Sequence, residues 1–239
     1  MKCSIGLRIA PREVQTYDLT IESMEKTGWD SGYIFAEPGS GINKEEYPNF
    51  TVVQRKKRLN CFKNLYKGLE QMRKEQPDAE YYGMVQDDVL FCKGIREYYE
   101  KSLEASAVLK ESGVISFFTH RVYSKPNHFG WHAVNKGRNL EMAQTFFFSP
   151  KAVDSILSFF PNKREKRLFK YEFTDDNRIG WWAYENGFEV VYHTPSLAQH
   201  IGHTSACWES KPTAVWRRSA SDFVGEDFDL TDLMNPARI

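Results

Sequence analysis

The stretch YYGMVQDDVLF, residues 81 to 91, constrains the fold of this chain more than any other. It is apolar from Tyr81 to Val85, presents Gln86, Asp87 and Asp88 in succession, and closes on Val89, Leu90 and Phe91. Preceded by the turn residues Pro77 and Asp78, and rich in aromatic and β-branched side chains, it predicts a buried strand central to a sheet. Two carboxylates at the mouth of such a strand repel one another, so a cation or hydrogen-bond donors must offset their charge. Hard divalent cations bind oxygens of this kind. A turn or a helix N-cap is the commoner use of an Asp pair after a strand, and the rest of the chain has to decide between them.

Strand and helix patterns alternate on both sides of this stretch. Residues 3–9 predict a first strand, 16–26 a helix stopped by Gly28, 32–36 a second strand and 51–54 a third. Leu59, Phe62, Leu65, Tyr66, Leu69 and Met72 share one face of a helix that leads into residue 81. Beyond the acids, 94–110 reads as a helix, 114–118 and 143–148 as strands, and Ser149-Pro150 as the capped start of a helix reaching about residue 160. Thr174 is expected to cap a helix that opens with Asp175 and Asp176 and ends at Gly187, before a final strand over 188–192. Residues 119–142 hold His120, His128 and His132 without any period, which points to a binding segment. The last thirty residues read as a tail wrapped on the domain. Such alternation predicts an α/β fold with a mostly parallel sheet flanked by helices, whose ligands sit at the carboxyl ends of the strands.

Composition excludes several function classes. Hydrophobic residues at 41% and aromatics at 15% are too many for a disordered chain. Lys plus Arg and Asp plus Glu are each 32, so no global field draws the chain to nucleic acid or anionic lipid. Any polyanion would have to meet local basic clusters at 55–58, 163–167 or 217–218. Cys3, Cys61, Cys92 and Cys207 form no CxxC pair and read as reduced thiols, so a cytoplasmic location is expected. No apolar run is long enough for a membrane span. Dinucleotide, P-loop and hydrolase-elbow motifs do not occur.

The Asp87-Asp88-Val89 segment, the Asp175-Asp176 pair opening a later helix, and the run Pro195-Ser-Leu-x-Gln-His-x-Gly-x-x-Ser205 together resemble the GT-A fold glycosyltransferases, which transfer sugar from a nucleotide sugar. The resemblance spans about residues 3 to 206. It implies a GT-A-like Rossmann-type domain over 1–206, with 207–239 as a C-terminal extension packing on it. It also implies Mn²⁺ or Mg²⁺ held by Asp88 and His200, with His203 as a further metal ligand. Gln86 stands where the family's first acid would be. Asp87 would touch ribose or metal, Ser205 a phosphate, and Arg8, Ala10, Arg12, Glu37, Arg55 and Arg58 the nucleotide. Asp176, with Asp175 as its rival, would be the catalytic base of an inverting enzyme. The donor implied is a UDP-sugar, and the acceptor a surface glycan or DNA carrying hydroxymethylpyrimidines. A nucleotidyltransferase and a non-catalytic sugar-nucleotide or nucleic-acid binding module are the alternatives.

Overall fold

The computed structural model describes residues 1–134, 140–160, 174–203 and 218–231. In chain order the elements are β1 (Cys3–Ile9), α1 (Tyr17–Lys26), β2 (Gly32–Ala36), β3 (Phe50–Gln54), α2 (Asn60–Glu75), β4 (Tyr81–Gln86), β5 (Val89–Phe91), α3 (Ile95–Ala105) and α4 (Ala107–Glu111). They continue as β6 (Val114–Ser116), β7 (Gly130–Ala133), β8 (Thr145–Phe148), α5 (Pro150–Phe159), α6 (Asp175–Asn186), β9 (Val190–Thr194) and β10 (Ala198–His200).

Eight strands form one sheet in the order β3-β2-β1-β4-β8-β6-β9-β7. Strands β3, β2, β1 and β4 run parallel, as do β6 and β9, while β8 and the edge strand β7 run antiparallel to their neighbours. Helices cover both faces, so consecutive strand residues are buried alternately on opposite sides. Phe147 and Val85 pack on the face holding Ile21, Met24 and Trp29, whereas Phe146, Phe148 and Met84 pack on the face holding Leu65, Leu69, Ile156 and Trp182. Burial on both faces is why these strands read as continuous apolar runs rather than alternating ones.

The expected α/β architecture is therefore the one observed, with differences that have local causes. The stretch 81–91 is two strands, because the chain turns at Asp87 and Asp88. The Asp87 carbonyl accepts from the Thr16 hydroxyl and the Asp88 carbonyl from the Ile201 amide, which takes the backbone out of the main sheet. Strand β5 then pairs antiparallel with β10 in a second, two-stranded sheet. The helix expected over 94–110 breaks at Ser106, whose extended backbone and side-chain bond from the Leu109 amide start a new helix. Strand β7 lies inside the aperiodic 119–142 segment; four residues at a sheet edge leave too short a pattern to read. Thr174 occupies the cap position of α6 without making a side-chain cap bond, and donates instead to Asp176. Cys61 is disulfide-bonded, whereas Cys3 and Cys92 are free. That corrects the reading of all four as reduced thiols: spacing along the chain does not report proximity in the fold. No helix among the described residues is long and apolar enough to cross a membrane.

Candidate functional site

Strands β1 and β4 are parallel neighbours with Arg8 in register with Gln86, so their carboxyl ends open side by side. The loop after β1 then faces the acidic turn after β4. The Ala10 amide donates to Asp87 Oδ2 at 3.0 Å. The Arg12 guanidinium lies 2.5 Å from Asp87 Oδ1 and 2.8 Å from Asp88 Oδ2, with both carboxylates and the arginine buried. The charge that two buried acids require is thus supplied by an arginine 75 positions upstream of the first of them.

The pairing of β10 with β5 places His200 opposite Val89, one residue past the acids. His200 Nε2 lies 3.0 Å from Asp88 Oδ2, joining positions 112 apart. Gly202 makes this contact fit: a Cβ there would stand 2.4 Å from Asp88 Oδ2 and 3.1 Å from His200 Nε2. Burial raises the Asp88 carboxyl, but His200 and Arg12 outweigh it and hold the group at about 2. Burial, opposed by Arg12 and reinforced by Asp88, raises the Asp87 carboxyl.

The second acidic pair divides into two roles. Asp175 is buried and lies 2.6 Å from the buried Arg8, which also donates to the carbonyls of Cys61 and Ala143. This ion pair braces the start of α6 against β1, so neither Arg8 nor Asp175 presents a charge to a ligand. Asp176 is only half-buried and accepts from the Met142 and Asn177 amides, each at 2.9 Å. Burial and the neighbouring Asp175 raise it to about 6. A carboxylate that ionises near neutrality suits a general base. Gln86 and Arg8 both donate to the carbonyl of Ala143, the residue after Met142, which ties Asp176 to the same end of the sheet as Asp87.

The remaining expected residues are placed differently. Glu37 is buried and accepts from the Leu59 amide at 2.8 Å, with Arg58 Nε 3.7 Å away, so its carboxylate holds the loop before α2. Arg55 donates to Asn64 and lies over the Phe35 ring. His203 is exposed. Ser205 and the basic cluster 163–167 lie outside the described residues, as does Arg217. Arg218, read in the sequence only as part of a basic cluster, is half-buried in the C-terminal extension. Its backbone position is fixed two residues on, where the Gln199 side chain accepts from the Ala220 amide at 2.8 Å and donates to its carbonyl at 3.2 Å. Burial lowers the half-buried Arg218 guanidinium, Asp88 raises it and Arg12 lowers it, so all three groups share one electrostatic neighbourhood.

The carboxylates expected to hold Mn²⁺ or Mg²⁺ are already held by Arg12. Among the described residues no three His, Cys, Asp or Glu side chains converge to hold an ion. Both Asp87 oxygens and Asp88 Oδ2 already face Arg12, which leaves Asp88 Oδ1 and His200 Nδ1 as the buried atoms there without a hydrogen-bond partner. A guanidinium between the carboxylates opposes a second cation there.

No protein-family model matches the chain, and no curated protein matches it. Solved structures do. A 4-diphosphocytidyl-2C-methyl-D-erythritol synthase from Anaerococcus prevotii aligns over 82% of this chain and 88% of its own, with 12% identity and a TM-score of 0.50. A CTP:phosphocholine cytidylyltransferase from Streptococcus pneumoniae aligns over 84% and 94%, with 11% identity and a TM-score of 0.50. A mannose-1-phosphate geranyltransferase from Thermus thermophilus aligns over 81% and 74%, with 12% identity and a TM-score of 0.47. In all, 582 chains match in shape, so the architecture is a common one and selects no reaction by itself.

Proposed function

We propose that this chain is a transferase acting on a substrate in which a nucleoside is linked through phosphates. The observation that carries the reading is the convergence of Arg12, Asp88 and His200 at the carboxyl ends of β1 and β4, with the perturbed acid Asp176 tied to the same end of the sheet. Ligands of open α/β sheets bind at these strand ends. When a phosphate-bearing group leaves, negative charge develops on its oxygens, and guanidinium donors stabilise it through paired hydrogen bonds.

Two chemistries meet this description. The solved structures that share the fold carry cytidyl-transfer names, and that likeness supports nucleotidyl transfer, in which a phosphate nucleophile attacks a nucleoside triphosphate and pyrophosphate leaves. Asp176 favours glycosyl transfer from a nucleotide sugar instead. A phosphate nucleophile is already ionised near neutral pH and needs no base, whereas a sugar hydroxyl must lose its proton as it attacks, and a carboxylate near 6 takes that proton. In that reading Asp176 deprotonates the acceptor hydroxyl, the oxygen attacks the anomeric carbon, and the nucleoside diphosphate leaves toward Arg12. The metal ion and the DNA acceptor implied by the resemblance form no part of this proposal.

One experiment separates the two. The chain is incubated with CTP or UTP plus a sugar phosphate, and separately with UDP-sugars plus simple glycan acceptors, while pyrophosphate and UDP release are followed. Nucleotidyl transfer yields pyrophosphate and survives Asp176→Asn. Glycosyl transfer yields UDP, falls on the acid side of about pH 6, and loses at least a hundredfold in turnover with Asp176→Asn. Release of neither product, together with no binding of any nucleotide, would end both readings.

A further inference from the structure

We infer that Tyr123 is a positioning residue for the Asp176 base, its hydroxyl holding the turn at 141–142 that presents an amide to the Asp176 carboxylate. This rests on the glycosyl-transfer reading above, in which Asp176 takes the proton of the acceptor hydroxyl. It deepens that reading by giving the histidine-bearing segment between β6 and β7 a task in the site.

The Tyr123 hydroxyl accepts from the Glu141 amide at 3.0 Å, and the next amide, that of Met142, donates to Asp176 Oδ2 at 2.9 Å. At Met142 the backbone is in the left-handed region, with φ at 69°. A residue other than glycine stays there when the surrounding structure holds it, and the Tyr123 hydroxyl supplies that hold from one side. On the other side the Ala143 carbonyl accepts from Arg8 Nη2 at 3.2 Å and from Gln86 Nε2 at 3.1 Å. Tyr123 is itself fixed. Its amide donates to the His120 carbonyl at 2.8 Å, its carbonyl accepts from His132 Nε2 at 3.0 Å, and its ring packs on Tyr192 with centroids 4.7 Å apart. Phenylalanine at this position would keep all three contacts, so removing the hydroxyl tests the bond to the turn.

The groups around Asp176 make this one amide matter. Asp175, beside it on α6, is paired with Arg8 of β1, and Arg178 lies over the Phe62 ring of α2. Tyr123, Tyr192 of β9 and Glu141 face the same space, and His132, which burial lowers from 6.5, lies behind Tyr123. Burial and Asp175 push the Asp176 carboxyl up, while the Thr174 hydroxyl and the Met142 and Asn177 amides pull it down. The Thr174 hydroxyl and the Asn177 amide both donate to Oδ1, whereas the Met142 amide donates to Oδ2. An amide bonded to the ionised carboxylate favours that form, so a loosened turn raises the carboxyl and leaves less of the base ionised at a given pH.

The test follows the Asp176 carboxyl by carbon NMR of the full chain labelled at aspartate Cγ, with Asp176→Asn identifying the signal. It also follows UDP release from UDP-sugars with simple glycan acceptors across pH. In Tyr123→Phe the Asp176 midpoint is expected to rise from about 6 by about half a pH unit or more. The acid limb of turnover should rise with it, while KM for the UDP-sugar stays within about twofold of the parent, since the nucleotide contacts are untouched. Tyr192→Phe is the control, because it removes a neighbouring buried hydroxyl that has no hydrogen-bond partner, and its midpoint should match the parent's. An unmoved midpoint in Tyr123→Phe, or an equal rise in Tyr192→Phe, overturns the inference while Asp176 stands as the base. A midpoint that rises while the acid limb stays in place overturns it as well. No UDP release by the parent chain with any donor removes the glycosyl-transfer reading and the inference with it, whatever the midpoint does.

Discussion

Replacing Arg12 by Gln removes the guanidinium that touches both acids of the turn, and the structure sets the size and the pH dependence of the result. Asp87 and Asp88 are 2% and 1% exposed, so water cannot take over from the guanidinium. Breaking a buried ion pair by deleting one partner costs about 3–5 kcal/mol. That is a large share of the roughly 5–15 kcal/mol by which most domains are stable. In the parent chain Asp88 is depressed from 3.8 to about 2, so its contribution is complete above 3.8 and is lost as pH falls toward 2. The span corresponds to about 2 kcal/mol. Without Arg12, burial and the mutual repulsion of two acids remain, which raises the folded-state pKa of the pair above its unfolded value. A raised carboxyl makes the folded state gain stability as pH falls, so the deficit of the variant must shrink between about pH 7 and pH 5. Urea unfolding of both chains, followed by tryptophan fluorescence at the two pH values, measures this directly. A deficit under about 1 kcal/mol at neutral pH, typical of an exposed pair, would refute the reasoning, as would one that stays constant with pH.

Gly202→Ala should lower stability by about 1–3 kcal/mol and weaken nucleotide binding together, because the new methyl would stand 2.4 Å from Asp88 Oδ2; a variant with parental melting temperature and affinity would show that the Asp88–His200 contact has no such constraint. Asp175→Asn leaves the buried Arg8 without its anion and should cost about 3–5 kcal/mol in chemical denaturation, whereas a loss below about 1 kcal/mol would deny its bracing role. His193 is fully buried, with Nδ1 donating to the Pro195 carbonyl and Nε2 accepting from the Tyr98 hydroxyl, and burial lowers it to about 4. A histidine depressed from 6.5 stabilises fully above 6.5 and loses that stability as pH falls toward 4, by about 3 kcal/mol, so His193→Gln should flatten the acid limb of the stability curve. An acid limb as steep as the parent's would exclude His193 as its source.

What could be read from the sequence was what neighbours along the chain decide. Strands β1, β2 and β8 and helices α1, α5 and α6 announce themselves through apolar period and the residues that stop or cap them, and Ser149 makes the cap bond its position implies. Elements that depend on distant partners were not legible. Strand β10 exists because β5 pairs with it, and β5 leaves the main sheet because Thr16 and Ile201 hold the carbonyls of the acidic turn. The same divide runs through the site. The acids and the histidine were visible as residue types at suggestive positions, but the partner of each was not. Arg8 neutralises Asp175 from 167 positions away, and Arg12 does the same for the acidic turn. A carboxylate in a sequence looks alike whether it waits for a metal or is already held by an arginine. Only the fold distinguishes them.

The central claim is that Arg12, Asp88 and His200 mark the place where nucleotide phosphates bind. A crystal structure of the chain soaked with UDP or CDP tests it most directly. The account predicts phosphate oxygens within hydrogen-bond reach of the Arg12 guanidinium or the His200 ring, with Asp176 facing the position next to the terminal phosphate. A nucleotide seated away from the ends of β1 and β4, or one whose phosphates point into solvent with neither Arg12 nor His200 in reach, would contradict it.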